Sequence, residues 1–144
     1  MPRGYPDCFG QSIFPKYGGA TEAEDTRNVT ANTVNTLLTV NGKGVLYCAH
    51  LLILAGIAQK DDWFSLYVDG DEFTSESMIS LKNAGHYYPS LAKWCITVYD
   101  DTLPLMVAYL QGPISFDLSI AIKYEEKAGN TPQVKSILRY ALIT

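Results

Sequence analysis

The sequence predicts an all-β fold, an antiparallel two-sheet sandwich of seven or eight strands with a jelly-roll-like architecture. Three observations support this: alternating or continuous apolar runs recur, turn-forming residues separate them, and helix signals are scarce. The strands occupy residues 33–144, close to the roughly one hundred residues of a two-sheet sandwich. Residues 1–32 are interpreted as an extended N-terminal arm with its linker.

The first predicted strands follow one another across a tight turn. The stretch "TLLTV" ends at Val40, and "NGKG" at residues 41–44 is typical of a hairpin turn. Residues 45–58, "VLYCAHLLILAGIA", are fewer than the about 18 to 20 apolar residues of a membrane helix. Periodicity does not separate a buried strand from a short buried helix in such a run, so the preceding turn favours the strand.

Alternation identifies the later strands. Three stretches place large apolar side chains on one face: Phe64, Leu66 and Val68; Trp94, Ile96 and Val98; and Phe116, Leu118, Ile120, Ile122 and Tyr124. The last of these, "ISFDLSIAIKYEE", is interpreted as one strand, and "VKSILRYALI" near the end is rich in strand-favouring residues. Turn signals separate the strands at Asp69-Gly70, Asn83-Ala84-Gly85, Asp100-Asp101, Gln111-Gly112-Pro113 and residues 129–132.

Composition limits the classes of partner. The chain has 144 residues, 47% of them hydrophobic, which suits one domain with a substantial core. The 11 Lys and Arg residues against 15 Asp and Glu residues give a net charge of −4. That charge does not favour nucleic acid, and neither a membrane segment nor an export signal is expected.

The carboxylates of "FSLYVDGDEF", Asp69, Asp71 and Glu72, raise the question of a metal site. A calcium loop carries ligands at alternate positions and a closing Glu, whereas here glycine directly follows the first Asp. Asp-Gly between two extended segments is a strong hairpin signal. We therefore predict a turn, with no metal or other cofactor, and interpret the pairs Asp61-Asp62 and Asp100-Asp101 as solvated loop tips.

The histidines and cysteines do not predict an enzyme. Neither His50 nor His86 belongs to a G-x-S-x-G or H-E-x-x-H pattern, and His50 is interpreted as structural or as part of a subunit contact. A pair of His50 with Cys48 or Cys95 stays open on spacing alone. The three cysteines, including Cys8, lack a CxxC spacing and are expected to be free and mostly buried, as in a reducing cytoplasm.

Aromatic residues cluster in "GHYYPSLAKW", which contains Tyr87, Tyr88 and Trp94. Aromatic loops of sandwiches can stack on sugars or anchor protein contacts, so these residues are a candidate surface binding loop. Packing in the core and at its rim is the alternative interpretation.

The first 32 residues contain too many prolines and glycines for a regular element, yet too many large apolar side chains for a solvated tail. A closed core has little room for these side chains, so the arm should dock on a neighbouring subunit or along its own sheet. The polar stretch that begins at Thr21, "TEAEDTRNVTANTVN", is interpreted as a linker. The predicted assembly interface consists of Tyr5, Phe9, Ile13, Phe14 and Tyr17.

The succession "LLTVNGKGVLYCA", "FSLYVDG" and "ISFDLSIAIKY", over roughly residues 37–124, resembles β-sandwich modules in structural proteins of tailed bacteriophages. The shared marks are a G-K-G turn that opens a strand, a V-D-G hairpin corner and a late strand of the form I-x-F-x-x-S-I. The resemblance implies a virion component made in the host cytoplasm and assembled without cofactors. Its expected partners are itself, as a homo-oligomer such as a trimer, and other virion proteins.

Two functions from different classes follow. The first is a non-enzymatic virion structural protein that decorates or cements a capsid, or joins head, tail and fibre parts, through its arm. The alternative is a carbohydrate-binding sandwich module. The arm favours the first function, because a carbohydrate module needs exposed coplanar aromatics and only residues 87–94 offer such material.

Overall fold

The computed structural model describes residues 19–100 and 102–143, which fold as two antiparallel β-sheets packed face to face. The described residues contain nine strands: β1 (Thr21–Asn28), β2 (Val34–Asn41), β3 (Gly44–Leu54), β4 (Trp63–Val68), β5 (Asp71–Ser77), β6 (Trp94–Asp100), β7 (Leu105–Phe116), β8 (Ser119–Glu125) and β9 (Gln133–Leu142). One sheet has the order β1-β9-β3-β7-β6 and the other the order β2-β8-β4-β5. The predicted all-β sandwich of two antiparallel sheets is confirmed.

The core lies between the inward faces of the two sheets. In β3 the inward positions alternate as the sequence predicts for a strand, with Ala49, Leu51 and Ile53 each 0% exposed. Phe64 of β4 meets Trp94 of β6 edge to face, with ring centroids 5.0 Å apart. This contact joins the two sheets, and both side chains are buried.

The stretch predicted as one long strand at residues 114–126 is divided between two strands that belong to different sheets. β7 ends at Phe116, β8 begins at Ser119, and Asp117 and Leu118 form the turn between them. Phe116, Ile120, Ile122 and Tyr124 are buried as predicted, but Leu118 is 68% exposed, so its predicted inward position is wrong. The alternation is preserved across the turn, and this is why the sequence pattern does not reveal it.

The turn predicted at residues 111–113 lies inside β7. Gln111, Gly112 and Pro113 continue the strand through an irregularity in its pairing with β3, between Leu46 and Cys48. A Cβ atom at Gly112 would overlap the backbone carbonyl oxygen of Leu46. Glycine is therefore required here by close approach of two backbones, not by a change of chain direction.

The polar stretch interpreted as a linker begins with strand β1. Thr21–Asn28 pairs antiparallel with β9, from Thr21 opposite Tyr140 to Asn28 opposite Gln133. β1 is an edge strand of the five-stranded sheet, where its charged side chains stay in solvent, and for this reason it lacks the apolar alternation of the inner strands. The sheet therefore starts about twelve residues earlier than the predicted boundary at residue 33.

One α-helix, α1 (Met78–Ala84), connects the two sheets between β5 and β6. Ser77 caps its first turn by accepting a hydrogen bond from the backbone N–H of Ser80, 3.1 Å away, and Gly85 ends it with a φ of 74°. Met78 and Leu81 point into the core. A second short element, the 3₁₀ helix Ile57–Gln59, precedes β4.

Candidate functional site

The predicted assembly residues of the arm, Tyr5, Phe9, Ile13, Phe14 and Tyr17, lie outside the described residues. The described chain begins at residue 19, directly before the edge strand β1. Residues 19 and 20 lead directly into this edge strand of the five-stranded sheet.

The candidate binding loop is divided by the structure. Tyr87 and Tyr88 are 46% and 83% exposed, whereas Trp94 is 1% exposed. Trp94 is the first residue of β6, and its side chain takes the inward position that alternates with Ile96. The assignment of Trp94 to a surface loop is therefore wrong, because its strand position places it in the core.

Asp69 and Gly70 form the predicted turn, with φ values of 54° and 87°, between β4 and β5. The Asp69 carboxylate also accepts hydrogen bonds from the backbone N–H groups of Leu118 and Ser119, at 2.6 and 3.1 Å. These hydrogen bonds, that of Leu118 above all, lower the pKa of Asp69. Among the described residues no group of three His, Cys, Asp or Glu side chains has the geometry of a metal site.

His50, Cys48 and Cys95 lie on the outer face of the five-stranded sheet. His50 and Cys95 are both opposite Tyr109, one on each neighbouring strand, so about 10 Å separates their backbones. Burial lowers the pKa of His50, assisted by Arg139, and burial raises the pKa of Cys95. His50 and Cys95 therefore do not form a nucleophile–base pair, and His50 instead packs on the Tyr109 ring at 4.8 Å.

The outer face of the five-stranded sheet carries apolar side chains mixed with polar ones. We call it the broad face, and its apolar and aromatic side chains on β3, β7 and β9 include Leu52, Leu54, Val107, Tyr109 and Ile137. In the sheet, His50 lies between Tyr109 and Ile137, and Lys135 is opposite Leu52. Towards β1 the face carries two ion pairs, Arg139–Glu22 at 2.8 Å and Lys135–Glu24 at 3.6 Å. Apolar and charged side chains also occur together in protein–protein interfaces.

The outer face of the four-stranded sheet carries a shallow groove. We call it the aromatic groove, and it is lined by Val34, Trp63, Ser65, Tyr67, Glu72, Ser75, Lys123, Glu125 and Lys127. The Lys123 ammonium lies 4.1 Å from the centre of the Tyr67 ring, and that of Lys127 lies 5.6 Å from the centre of the Trp63 ring. The alternation of "WFSLYVD" places Tyr67 outward, whereas no sequence pattern marks Trp63 as part of a site.

A buried carboxylate network closes one end of the sandwich. Asp62 and Glu126 are each 1% exposed, and the Gln59 Nε2 atom donates a hydrogen bond to both carboxylates. Tyr124 donates its hydroxyl proton to Asp62 at 2.5 Å. The interpretation of Asp61-Asp62 as a solvated tip is thus wrong for Asp62, which faces inward and whose pKa burial raises.

Glu126 is the most fully hydrogen-bonded side chain of this network. Its two oxygens accept hydrogen bonds from the backbone N–H groups of Asn32, Ala128, Gly129 and Asn130. Burial alone would raise its pKa, but the bonds from Gln59 and these N–H groups lower it to about 2. All four carboxylate oxygens of Asp62 and Glu126 accept hydrogen bonds from protein groups, so the network holds the β1–β2 loop and the β8–β9 loop together.

Comparison with known proteins gives no family for this chain. No protein-family model matches the sequence, and no curated protein matches it. Within residues 19–100 and 102–143, no helix is long and apolar enough to cross a membrane.

Proposed function

We propose that the protein is a non-enzymatic structural protein that assembles through its N-terminal arm. Following the resemblance in its sequence, we propose a virion component, most simply a capsid decoration or head-fibre-associated protein. The observation that supports this proposal is the broad face, which presents apolar side chains of β3, β7 and β9 on the same sheet as β1, the strand that follows the arm in the sequence.

The occupant that we propose for the broad face is the arm of a second copy of the chain. Eighteen extended residues reach roughly 60 Å, whereas five strands span only about 20 Å. The arm is therefore long enough to leave its own sheet at β1 and cross a neighbour. Mutual exchange of arms would cover both apolar faces in one symmetric interface.

The strand order supports the jelly-roll part of the prediction. Consecutive strands pass from one sheet to the other except within the β4–β5 and β6–β7 hairpins. When β6 is set aside, eight strands form two four-stranded sheets, as in jelly rolls, an architecture of many viral capsid domains and lectins. The architecture is thus compatible with either function that the sequence suggests.

Removal of residues 1–18 tests the assembly. We expect the full chain to form an oligomer and the truncated chain to be a monomer by light scattering and native mass spectrometry. Leu54→Lys, at the 40% exposed end of the broad face, should weaken the oligomer as well, because it places a charge in the interface. Its matched control is Leu118→Lys, at a 68% exposed turn residue, which should leave the oligomer intact. A truncated chain that assembles as tightly as the full chain contradicts the proposal.

Cysteine trapping separates exchange from intramolecular docking. Cys8 lies in the arm and the half-buried Cys48 lies in the broad face, so oxidation should join them when the arm is docked. A co-expressed mixture of Cys8→Ser and Cys48→Ser chains should give more disulfide-linked dimer than either variant gives alone. If oxidation instead changes only the wild-type chain, to a monomer that migrates faster on a non-reducing gel, the arm covers its own sheet and the proposed exchange is wrong.

A further inference from the structure

The aromatic groove presents two rings at a fixed spacing. Trp63 and Tyr67 alternate with Ser65 on the outer side of β4, and four residues of strand separate their backbones by about 13 Å. β4 lies between β8 and β5 and is paired with both, so the backbone that carries the rings is held on both sides. The groove lies on the opposite sheet from the broad face and is independent of it.

Each ring adjoins a carboxylate on a neighbouring strand. Trp63 is directly opposite Glu125 of β8, and Tyr67 is directly opposite Glu72 of β5. Between the rings, the Ser65 hydroxyl group donates a hydrogen bond to the hydroxyl oxygen of Ser75, 2.9 Å away. The groove therefore offers apolar ring faces and hydrogen-bond acceptors side by side.

Lys123 and Lys127 lie over the rings of Tyr67 and Trp63. Cation–π contacts of exposed lysines are weak, and the flexible side chains can move aside at small cost. The ammonium groups of Lys123 and Lys127 and the carboxylates of Glu72 and Glu125 leave the groove without net charge. The groove therefore favours neither a highly anionic nor a highly cationic ligand.

We propose that the aromatic groove binds a neutral saccharide chain. A sugar ring has an apolar C–H face, which stacks on an aromatic ring, and hydroxyl groups at its edge, which donate to carboxylates and accept from ammonium groups. A shallow open groove with two rings accommodates an extended chain that touches the sheet at two sugar units. The loop at residues 87–94, the site expected from the sequence, offers no comparable pair because Trp94 is buried.

Tryptophan fluorescence is a direct measurement of this binding. The chain has 2 tryptophans, and Trp94 is 1% exposed, so a change in emission on addition of sugar reports on Trp63. We would titrate the full chain with cellohexaose, maltohexaose, chitohexaose and, as the acidic comparison, hexagalacturonate. We expect at least one neutral hexasaccharide to bind with a Kd below about 1 mM.

Three variants locate the site. Trp63→Ala and Tyr67→Ala should each weaken binding about tenfold or more. Because Trp63→Ala removes the fluorescent reporter, its binding is measured by amide chemical shifts. Tyr88→Ala removes an aromatic side chain that is 83% exposed elsewhere, and its affinity should match that of the parent. Thermal melts establish that each variant is folded. The proposal is overturned if no neutral hexasaccharide binds, if only hexagalacturonate binds, or if folded Tyr67→Ala binds as the parent does.

Discussion

At the scale of single residues, the carboxylate of Glu126 organises one end of the sandwich. It ties the loop after β8 to the β1–β2 loop through Asn32 and to the 3₁₀ helix through Gln59. Because the folded chain lowers its pKa from the ordinary value of 4.5 to about 2, the folded state binds fewer protons than the unfolded state. Glu126 therefore stabilises the fold fully above pH 4.5, and that contribution is lost as the pH falls toward about 2.

Glu126→Gln should lower the free energy of unfolding at pH 7 by about 1 to 3 kcal/mol, because an amide cannot accept all the hydrogen bonds of the carboxylate. The difference from the parent should shrink as the pH falls from 4.5 toward 2, where the parent carboxylate is itself protonated. Asp62, whose pKa is raised by burial, contributes to the pH dependence with the opposite sign and so reduces the acid sensitivity of the parent.

Urea unfolding at a series of pH values measures this difference. The half-exposed neighbour Glu125 supplies the control, since Glu125→Gln should change stability little at any pH. A Glu126→Gln deficit that is the same at pH 7 and pH 3 would contradict the role assigned to the ionised carboxylate.

At the scale of elements, the turn that joins β7 to β8 offers a matched pair of substitutions. Ile120 is 0% exposed in the core, whereas Leu118 is 68% exposed in the turn. We expect Ile120→Ala to cost about 2 to 5 kcal/mol of unfolding free energy and Leu118→Ala about 0.5 kcal/mol or less. Equilibrium denaturation of both variants checks this, and equal losses would show that the turn is not where the structure places it.

The alternation of apolar and polar residues predicted the strands that have one buried and one exposed face. It also placed Phe64, Leu66 and Trp94 correctly on the buried face. It did not distinguish β7 and β8, because a two-residue turn keeps the period of two. It also did not reveal β1, whose charged side chains belong to an edge, or α1, whose seven residues are too few for a helical period.

The candidate sites were less predictable than the strands. Alternation places Tyr67 outward, but its neighbours in the aromatic groove come from β5 and β8, and Lys123 lies 56 residues further along the chain. The broad face likewise depends on which strands are neighbours, a property of the sheet order that local patterns do not contain.

At the scale of the whole molecule, the arm and the sandwich should be separable, but at residue 18 and not at residue 32. Removal of residues 1–18 should leave a folded sandwich, whose midpoint of thermal unfolding falls only by the stabilisation that the oligomer supplies. Removal of residues 1–28 should lower it strongly, because it deletes β1, its eight pairings with β9 and the ion pairs of Glu22 and Glu24. Thermal melts followed by circular dichroism compare the two truncations. Equal melting of both truncated chains would show that β1 contributes nothing to the sandwich.

The position of β9 has a consequence for how the chain folds during synthesis. β9 is near the end of the sequence, yet it lies between β1 and β3, which are made first. The ribosome must therefore release residues 133–142 before β1 acquires its partner and before β3, which also pairs with the earlier strand β7, acquires its second one. Such long-range pairing makes folding slow, and until then β1 and β3 expose unpaired backbone groups. The five-stranded sheet of the nascent chain is thus incomplete for as long as β9 is missing.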